Sequence, residues 1–113
     1  MVGDGDTAVA MGSGDVPVLG TPRLLALAEA ATVEALAGRL GDGQTSVGTR
    51  VELEHRAASP VGVRVTVTAE LEEVDGKRLV FEVEAVDERG SVVAIGRVER
   101  VVVDRDRFLA RLQ

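Results

Sequence analysis

Near residue 46 the spacing of apolar residues changes period, and that change decides the fold class. Upstream, LLALAEAATVEAL carries apolar residues at helical spacing. Downstream, SVGTRVELEH, VRVTVTAELEEV, RLVFEVEAV and VVAIGRVERVVV alternate with period two. The first pattern predicts one long helix from Thr21 to about Leu40, opened by Thr21 as N-cap with Pro22 at the first helical position and closed by Gly41, Asp42 and Gly43. The second predicts strands over 46–58, 62–74, 78–87 and 91–104, joined through Pro60 and Gly62, through Asp75 and Gly76, and through Glu88, Arg89 and Gly90. Such short connections predict an antiparallel meander. Thr7 to Met11 would add a fifth, edge strand, residues 1–5 are expected to be mobile, and Arg105 to Gln113 suits a short amphipathic helix carrying Phe108 and Leu109. The expectation is a single α+β domain over residues 1–113: a long central helix wrapped by a five-stranded antiparallel sheet.

The helix is apolar around most of its circumference, with Arg23 and Glu34 marking its wet side, so several faces should be buried. In the second strand Val63, Val65, Val67 and Ala69 oppose Arg64, Thr66, Thr68 and Glu70, one face dry and the other wet.

Composition narrows the function. The 113 residues carry thirteen basic and nineteen acidic side chains, a net charge of −6, and two phenylalanines as the only aromatics. Scattered cations and no stacking platform argue against nucleic acid. No apolar run approaches the ~20 residues that span a bilayer, and the acidic, glycine-rich start MVGDGDTAVAMGSGD is unlike a signal peptide. A soluble, cytoplasmic protein without membrane partners is expected, and the absence of cysteine suits a reducing compartment. One histidine makes a structural zinc site improbable, and no metal is expected.

Two ionisable residues stand on apolar faces. Alternation sets His55 beside Val51, Leu53 and Ala57, and Glu29 lies well over 100° around the helix from Glu34, among Leu25, Ala26, Thr32 and Val33. A carboxylate there loses several kcal/mol of hydration, roughly, unless it is protonated or hydrogen-bonded. Either it is a core acid satisfied by backbone N–H groups or it belongs to a site, and Glu29 is the nearest sequence candidate to partner the imidazole. Gly48 and Thr49 interrupt a β-rich strand, as a bulge would, or as a close backbone approach to a ligand would. Thr21, before proline at a helix start, reads first as a cap.

Taken jointly, these residues resemble the hot-dog-fold thioesterases, in particular the branch typified by the fluoroacetyl-CoA thioesterase, over about residues 5–112. In that branch a threonine opens the central helix, a glutamate follows eight residues on, and a histidine lies 26 residues beyond it; Thr21, Glu29 and His55 keep both intervals, and SVGT, HRAASP, VTVTAEL and VDGKRLVFEVEA are similar as well. The resemblance implies an acyl-CoA thioesterase with Thr21, Glu29 and His55 catalytic, Gly48, Thr49 and Arg56 contacting substrate, and coenzyme A entering only as part of the substrate. His55 would act as base toward water or Thr21. Glu29 would either orient the imidazole or attack the carbonyl, and the Gly48 N–H would meet the oxyanion. It further implies a homodimer with the acyl pocket between protomers, and coenzyme A meeting one or more of Arg56, Arg64, Arg97 and Arg100. One departure concerns the acyl group: the segment GSGDVPVLG is short and lacks the phenylalanines that form a lid in the branch, so the resemblance implies hydrolysis of a small acyl-CoA rather than fluoroacetyl specificity. A non-catalytic acyl-CoA-binding or dimerisation module is the alternative. An enoyl-CoA hydratase of a related branch fits less well, because Glu29 stands at the wrong spacing for its Asp and His pair.

Overall fold

The computed structural model describes all residues, 1–113. Its elements are helix α1 (Ala8–Met11), helix α2 (Thr21–Ala35), strands β1 (Gln44–His55), β2 (Val65–Asp75), β3 (Arg78–Asp87) and β4 (Val92–Asp104), and helix α3 (Arg105–Ala110). The sheet has four antiparallel strands in the order β1-β4-β3-β2.

Three expectations about the elements and their order are corrected. The predicted fifth strand is the short helix α1, whose Thr7 cap accepts the Ala10 N–H; extended pairing there is limited to isolated bridges of Thr7 with Leu19 and Val18 with Pro60. The meander holds only for β2, β3 and β4. β1 pairs with β4, because the connection over residues 56–64 is long enough to cross from one sheet edge to the other: nine extended residues reach about 30 Å, whereas three strand spacings take about 15 Å. Helix α2 ends at Ala35 rather than near Leu40; residues 36–39 continue as turns, and Gly38 takes a positive φ of 76°.

The sheet's inner face packs on α2, which lies chiefly against β2. Buried Leu24, Ala28 and Thr32 form the covered stripe of the helix. They meet Ala85, Val93 and Ala94 at one end and Val83 and Val98 in the middle, while Leu36 joins Leu79 and Phe81 at the other end. The helix is therefore buried on one stripe and not all round: Ala26, Ala30 and Val33 face outward, Val33 at 52% exposure. Inward residues of the flanking strands, Val51, Leu53, Val65 and Val67 among them, are only half-buried.

The chain start is anchored, contrary to expectation. Val2 is buried, donates its N–H to Val63 C=O at 2.9 Å and accepts from Gly62 N–H at 2.8 Å, because the short helix leaves the end of the core open for it. A turn at Asp4–Asp6 follows, and Asp6 accepts from Gly3 N–H and from Arg23 Nε, each at 2.9 Å. The Gly3 N–H foremost, and then the Arg23 guanidinium, hold the Asp6 carboxyl below its ordinary value. On the outer face, Arg78 donates to Glu99 at 2.8 Å and also pairs with Glu73, which lowers the Glu99 carboxyl and raises Arg78.

Gly96 faces Leu53 of β1, and a Cβ there would strike the Glu52 carbonyl. Gly96→Ala should destabilise the fold by about 1–3 kcal/mol in denaturant melts, through a clash with backbone that cannot rotate away. Asp6→Asn should lower Tm slightly at pH 7, by less than about 1 kcal/mol of stability. Because the folded carboxyl titrates below its unfolded value, this contribution is present above the unfolded pKa and is lost as pH falls through the folded one. The wild-type and variant melting curves should therefore converge in acid.

Candidate active site

Gly20 is the N-cap of α2, with no side chain to spend on capping, so Thr21 is the first helical residue rather than the cap. Its hydroxyl is consequently free to turn toward the sheet. His55 closes β1 with the inward parity of Val51 and Leu53, and Thr21 Oγ1 lies 2.8 Å from His55 Nδ1. The imidazole's partner is thus Thr21, not Glu29. With Nδ1 unprotonated, the hydroxyl donates to it, the arrangement by which an imidazole draws a proton from an alcohol. Nε2 is buried with no hydrogen-bond partner in the chain. An unpaired buried nitrogen costs about 1–3 kcal/mol, a cost retained more readily at a site than in a core.

The pair opens on a groove of about 330 Å³. Val16, Val18 and Leu19 line it from the segment before α2, and Arg56, Ala57 and Ala58 from the residues after β1. Its apolar lining is aliphatic, and Ser13 adds a hydroxyl to the polar groups of Thr21, His55 and Arg56. Arg56 is exposed at the rim, its guanidinium 3.6 Å from Glu54.

Glu29 lies elsewhere. Eight residues of helix separate it from Thr21 by about 12 Å along the axis. Its Oε2 is 3.4 Å from Arg100 Nη1, while Arg100 also donates through Nε to Ser46 Oγ at 2.9 Å and through Nη2 to Ser46 C=O at 3.1 Å. The Arg100 side chain is 7% exposed, so its charge is balanced internally and is out of reach of solvent phosphates. Gly48 completes this cluster: a Cβ there would collide with Glu29 Oε2, so only glycine lets the carboxylate rest on the strand.

The ladder register shifts between Gly48 and Arg50, a β-bulge that makes inward residues even-numbered before it and odd-numbered after it. Ser46 and Gly48 therefore share the inner face with Val51, Leu53 and His55. Thr49 sits at the bulge itself, exposed, with Oγ1 donating to Glu99 C=O at 3.3 Å.

Within one chain, then, Thr21, His55 and Arg56 share the groove, Glu29 and Gly48 share a second cluster two helical turns away, and Thr49 faces outward. Sequence reading missed Ser46 and offered Arg100 as one of four candidate coenzyme A contacts. The available signal was the inward parity of Arg100 with Val98, which places a cation in the core and demands an acid. Arg97 stays exposed and pairs with Glu72 at 3.4 Å, and Arg64 stays exposed. A broad depression of about 940 Å³ on the sheet's outer face is lined by Glu52, Glu54, Glu70, Glu82 and Glu84 with Arg97, a wall of carboxylates unsuited to an anionic substrate.

The comparisons with known proteins follow this geometry. The family model described as fluoroacetyl-CoA-specific thioesterase (FlK) matches residues 2–106. A fluoroacetyl-CoA thioesterase of Streptantibioticus cattleyicolor is 42% identical over 99 residues, 85% of this chain and 68% of that protein. A hot-dog-like protein from Thermanaerovibrio acidaminovorans superposes with a TM-score of 0.89 at 33% identity, covering 98% of this chain and 82% of the other. A variant of the fluoroacetyl-CoA-specific thioesterase, solved with fluoroacetate and CoA, gives 0.89 at 33% identity, covering 98% and 91%. The matched span takes in Thr21, His55, Glu29 and Arg100 together, and the chain, a hot-dog-like α+β thioester hydrolase acting on acyl-CoA, belongs to the fluoroacetyl-CoA-specific thioesterase family.

Proposed function

We propose that the protein is a homodimeric thioesterase for small aliphatic acyl-CoA esters, whose site is completed across the two-fold axis. The Thr21–His55 hydrogen bond at the mouth of an aliphatic groove carries this reading. His55 takes the proton of Thr21, or of a water beside it, as the thioester carbonyl is attacked, and returns it to the departing thiolate. Glu29, fixed by Arg100, attacks the carbonyl or acts as base for the attacking water, and an anhydride formed on Glu29, or an ester formed on Thr21, is then opened by water to release the free acid. The Gly48 N–H remains the candidate oxyanion donor.

Twelve residues of β1 run along a free sheet edge, which invites pairing with a second copy. A two-fold axis through Glu52, with the bulge residue Thr49 left unpaired in each copy, sets Gly48 opposite the partner's His55. That register brings each Glu29 to the other subunit's Thr21–His55 pair, which one chain keeps about 12 Å apart. The outward Ala26, Ala30 and Val33 and the half-buried Val51 and Leu53 supply apolar surface for the same contact.

Specificity follows from the groove. With valine, leucine and alanine as its apolar lining and no phenylalanine, tyrosine or tryptophan, it discriminates chiefly by size, and a methylene there is worth about 1–3 kcal/mol. It offers nothing that singles out fluorine.

Thiol release from a panel of acyl-CoAs should rank acetyl, propionyl and butyryl esters within the working range, with fluoroacetyl-CoA within about tenfold of acetyl-CoA in kcat/KM. His55→Ala, Thr21→Ala and Glu29→Gln should each lower kcat by about a hundredfold or more. A fully active Glu29→Gln enzyme, or marked preference for fluoroacetyl-CoA, would overturn the assignment. Light scattering should give a dimer. Mixing inactive His55→Ala and Glu29→Gln chains under exchange should restore about a quarter of wild-type turnover, since half the sites of each heterodimer are intact; no recovery would place all three residues within one subunit.

A further inference from the structure

The guanidinium of Arg100 is divided unequally between its two neighbours. Its cross-strand partner on β1 is Gly48, which has no side chain, so the arginine reaches the next inward residue, Ser46. There one residue fills the side edge of the guanidinium twice: Nε donates to Ser46 Oγ at 2.9 Å and Nη2 to Ser46 C=O at 3.1 Å. Glu29 receives the remaining nitrogen alone. Its Oε2 lies 3.4 Å from Nη1, whereas a charge-assisted hydrogen bond closes to about 2.7–2.9 Å and an arginine free to turn takes a carboxylate on two nitrogens at once. The other oxygen, Oε1, accepts no hydrogen bond from the chain, and the Glu29 side chain is partly open to solvent while that of Arg100 is buried. A serine remote from Thr21 and His55, to which the proposed chemistry gives no part, thus decides how closely the acid of the site is held.

We infer that Ser46 is a positioning residue for Glu29: by holding two nitrogens of Arg100 on the strand, it keeps the guanidinium from closing a two-point ion pair on the carboxylate. Glu29 then stays oriented and ionised, yet able to attack a carbonyl or take a proton. The inference rests on the reading of Glu29 as the acid that acts on the thioester or on its water. A carboxylate clasped on both oxygens gives its lone pairs to the cation, and its nucleophilicity and basicity fall together. One held by a single oxygen, at long range, keeps Oε1 for the reaction. Losing the arginine would be the opposite fault, since Arg100 is the one cation that the carboxylate meets. Serine suits the task because its one-carbon stem keeps Oγ beside its own carbonyl, so both acceptors face one edge of the guanidinium. Alanine would leave the buried Nε–H without a partner and free the group to turn toward Glu29.

Ser46→Ala should lower kcat for acetyl-CoA about tenfold or more while KM changes by less than about twofold. Ser46→Thr, which keeps a hydroxyl on the same stem, should restore kcat to within about threefold of wild type. On an Arg100→Lys background the Ser46→Ala change should matter by less than about twofold, because an ammonium has no second nitrogen with which to close the pair. A merely structural serine would behave otherwise. Its loss would lower Tm and leave kcat per folded site unchanged, or the losses from Ser46→Ala and Arg100→Lys would multiply, and either result overturns the inference, as does a Ser46→Thr enzyme no better than Ser46→Ala. If Arg100→Lys does not fold, the two Ser46 variants decide the matter alone. Glu29→Gln separates the two levels: an inactive Glu29→Gln enzyme beside a fully active Ser46→Ala enzyme refutes the role of Ser46 and keeps that of Glu29, whereas a fully active Glu29→Gln enzyme removes both.

Discussion

A helix too short for its sheet governs this structure. The fifteen residues of α2 reach about 22 Å, whereas the thirteen of β4 reach about 43 Å, so one helix cannot cover the inner face laid out by the period-two segments. Everything irregular about the fold answers that mismatch. The segment before α2 and the chain start fill one end, where Val2 and Leu19 join Leu24, Val93 and Ala94, and Leu36 reaches beyond the helix to Leu79 and Phe81 at the other. What is left over includes the half-buried inner surface of β1, one of the two edge strands and the one that α2 covers less.

The same helix divides the chemistry. Eight residues of α-helix turn through about 80° beyond two full turns and rise about 12 Å, so a threonine and a glutamate at that interval meet different parts of the sheet whatever surrounds them. Thr21 finds the end of β1; Glu29 finds its start. At each place the strand supplies what the helix residue lacks: an imidazole for the hydroxyl, and a glycine with a neighbouring buried guanidinium for the carboxylate. The guanidinium is charged in a region with little water, so it constrains Ser46 and Glu29 as much as they constrain it.

Period and turn chemistry made most of the fold legible. The alternation in VRVTVTAELEEV fixed which side of β2 faces the helix, and the Asp75–Gly76 signal marked the hairpin, in which Gly76 takes a φ of 61°. Strand order was hidden, because the residues between His55 and Val65 are compatible with a tight return to a neighbour and with a crossing to the far edge. The burial of Val2 was hidden too: a valine flanked by Met1 and Gly3 has no periodicity to announce it. In the site, the Thr21, Glu29 and His55 intervals were readable only as a joint resemblance. The Arg100–Glu29 partnership joins residues 71 apart, one on the sheet and one on the helix, and pairwise geometry of that kind leaves no mark in local pattern.

The single extra residue at Gly48–Arg50 acts as a phase shift in an otherwise strict two-beat strand. Without it, a β1 that presented Ser46 and Gly48 to the helix would present Glu52, Glu54 and the residue after His55, and the imidazole would point to solvent with its hydrogen-bond partner stranded on the other side. Insertions and deletions in this strand are therefore tolerated only in pairs of residues or not at all, and the spacing between glycine and histidine is under a parity constraint that conservative substitutions never touch.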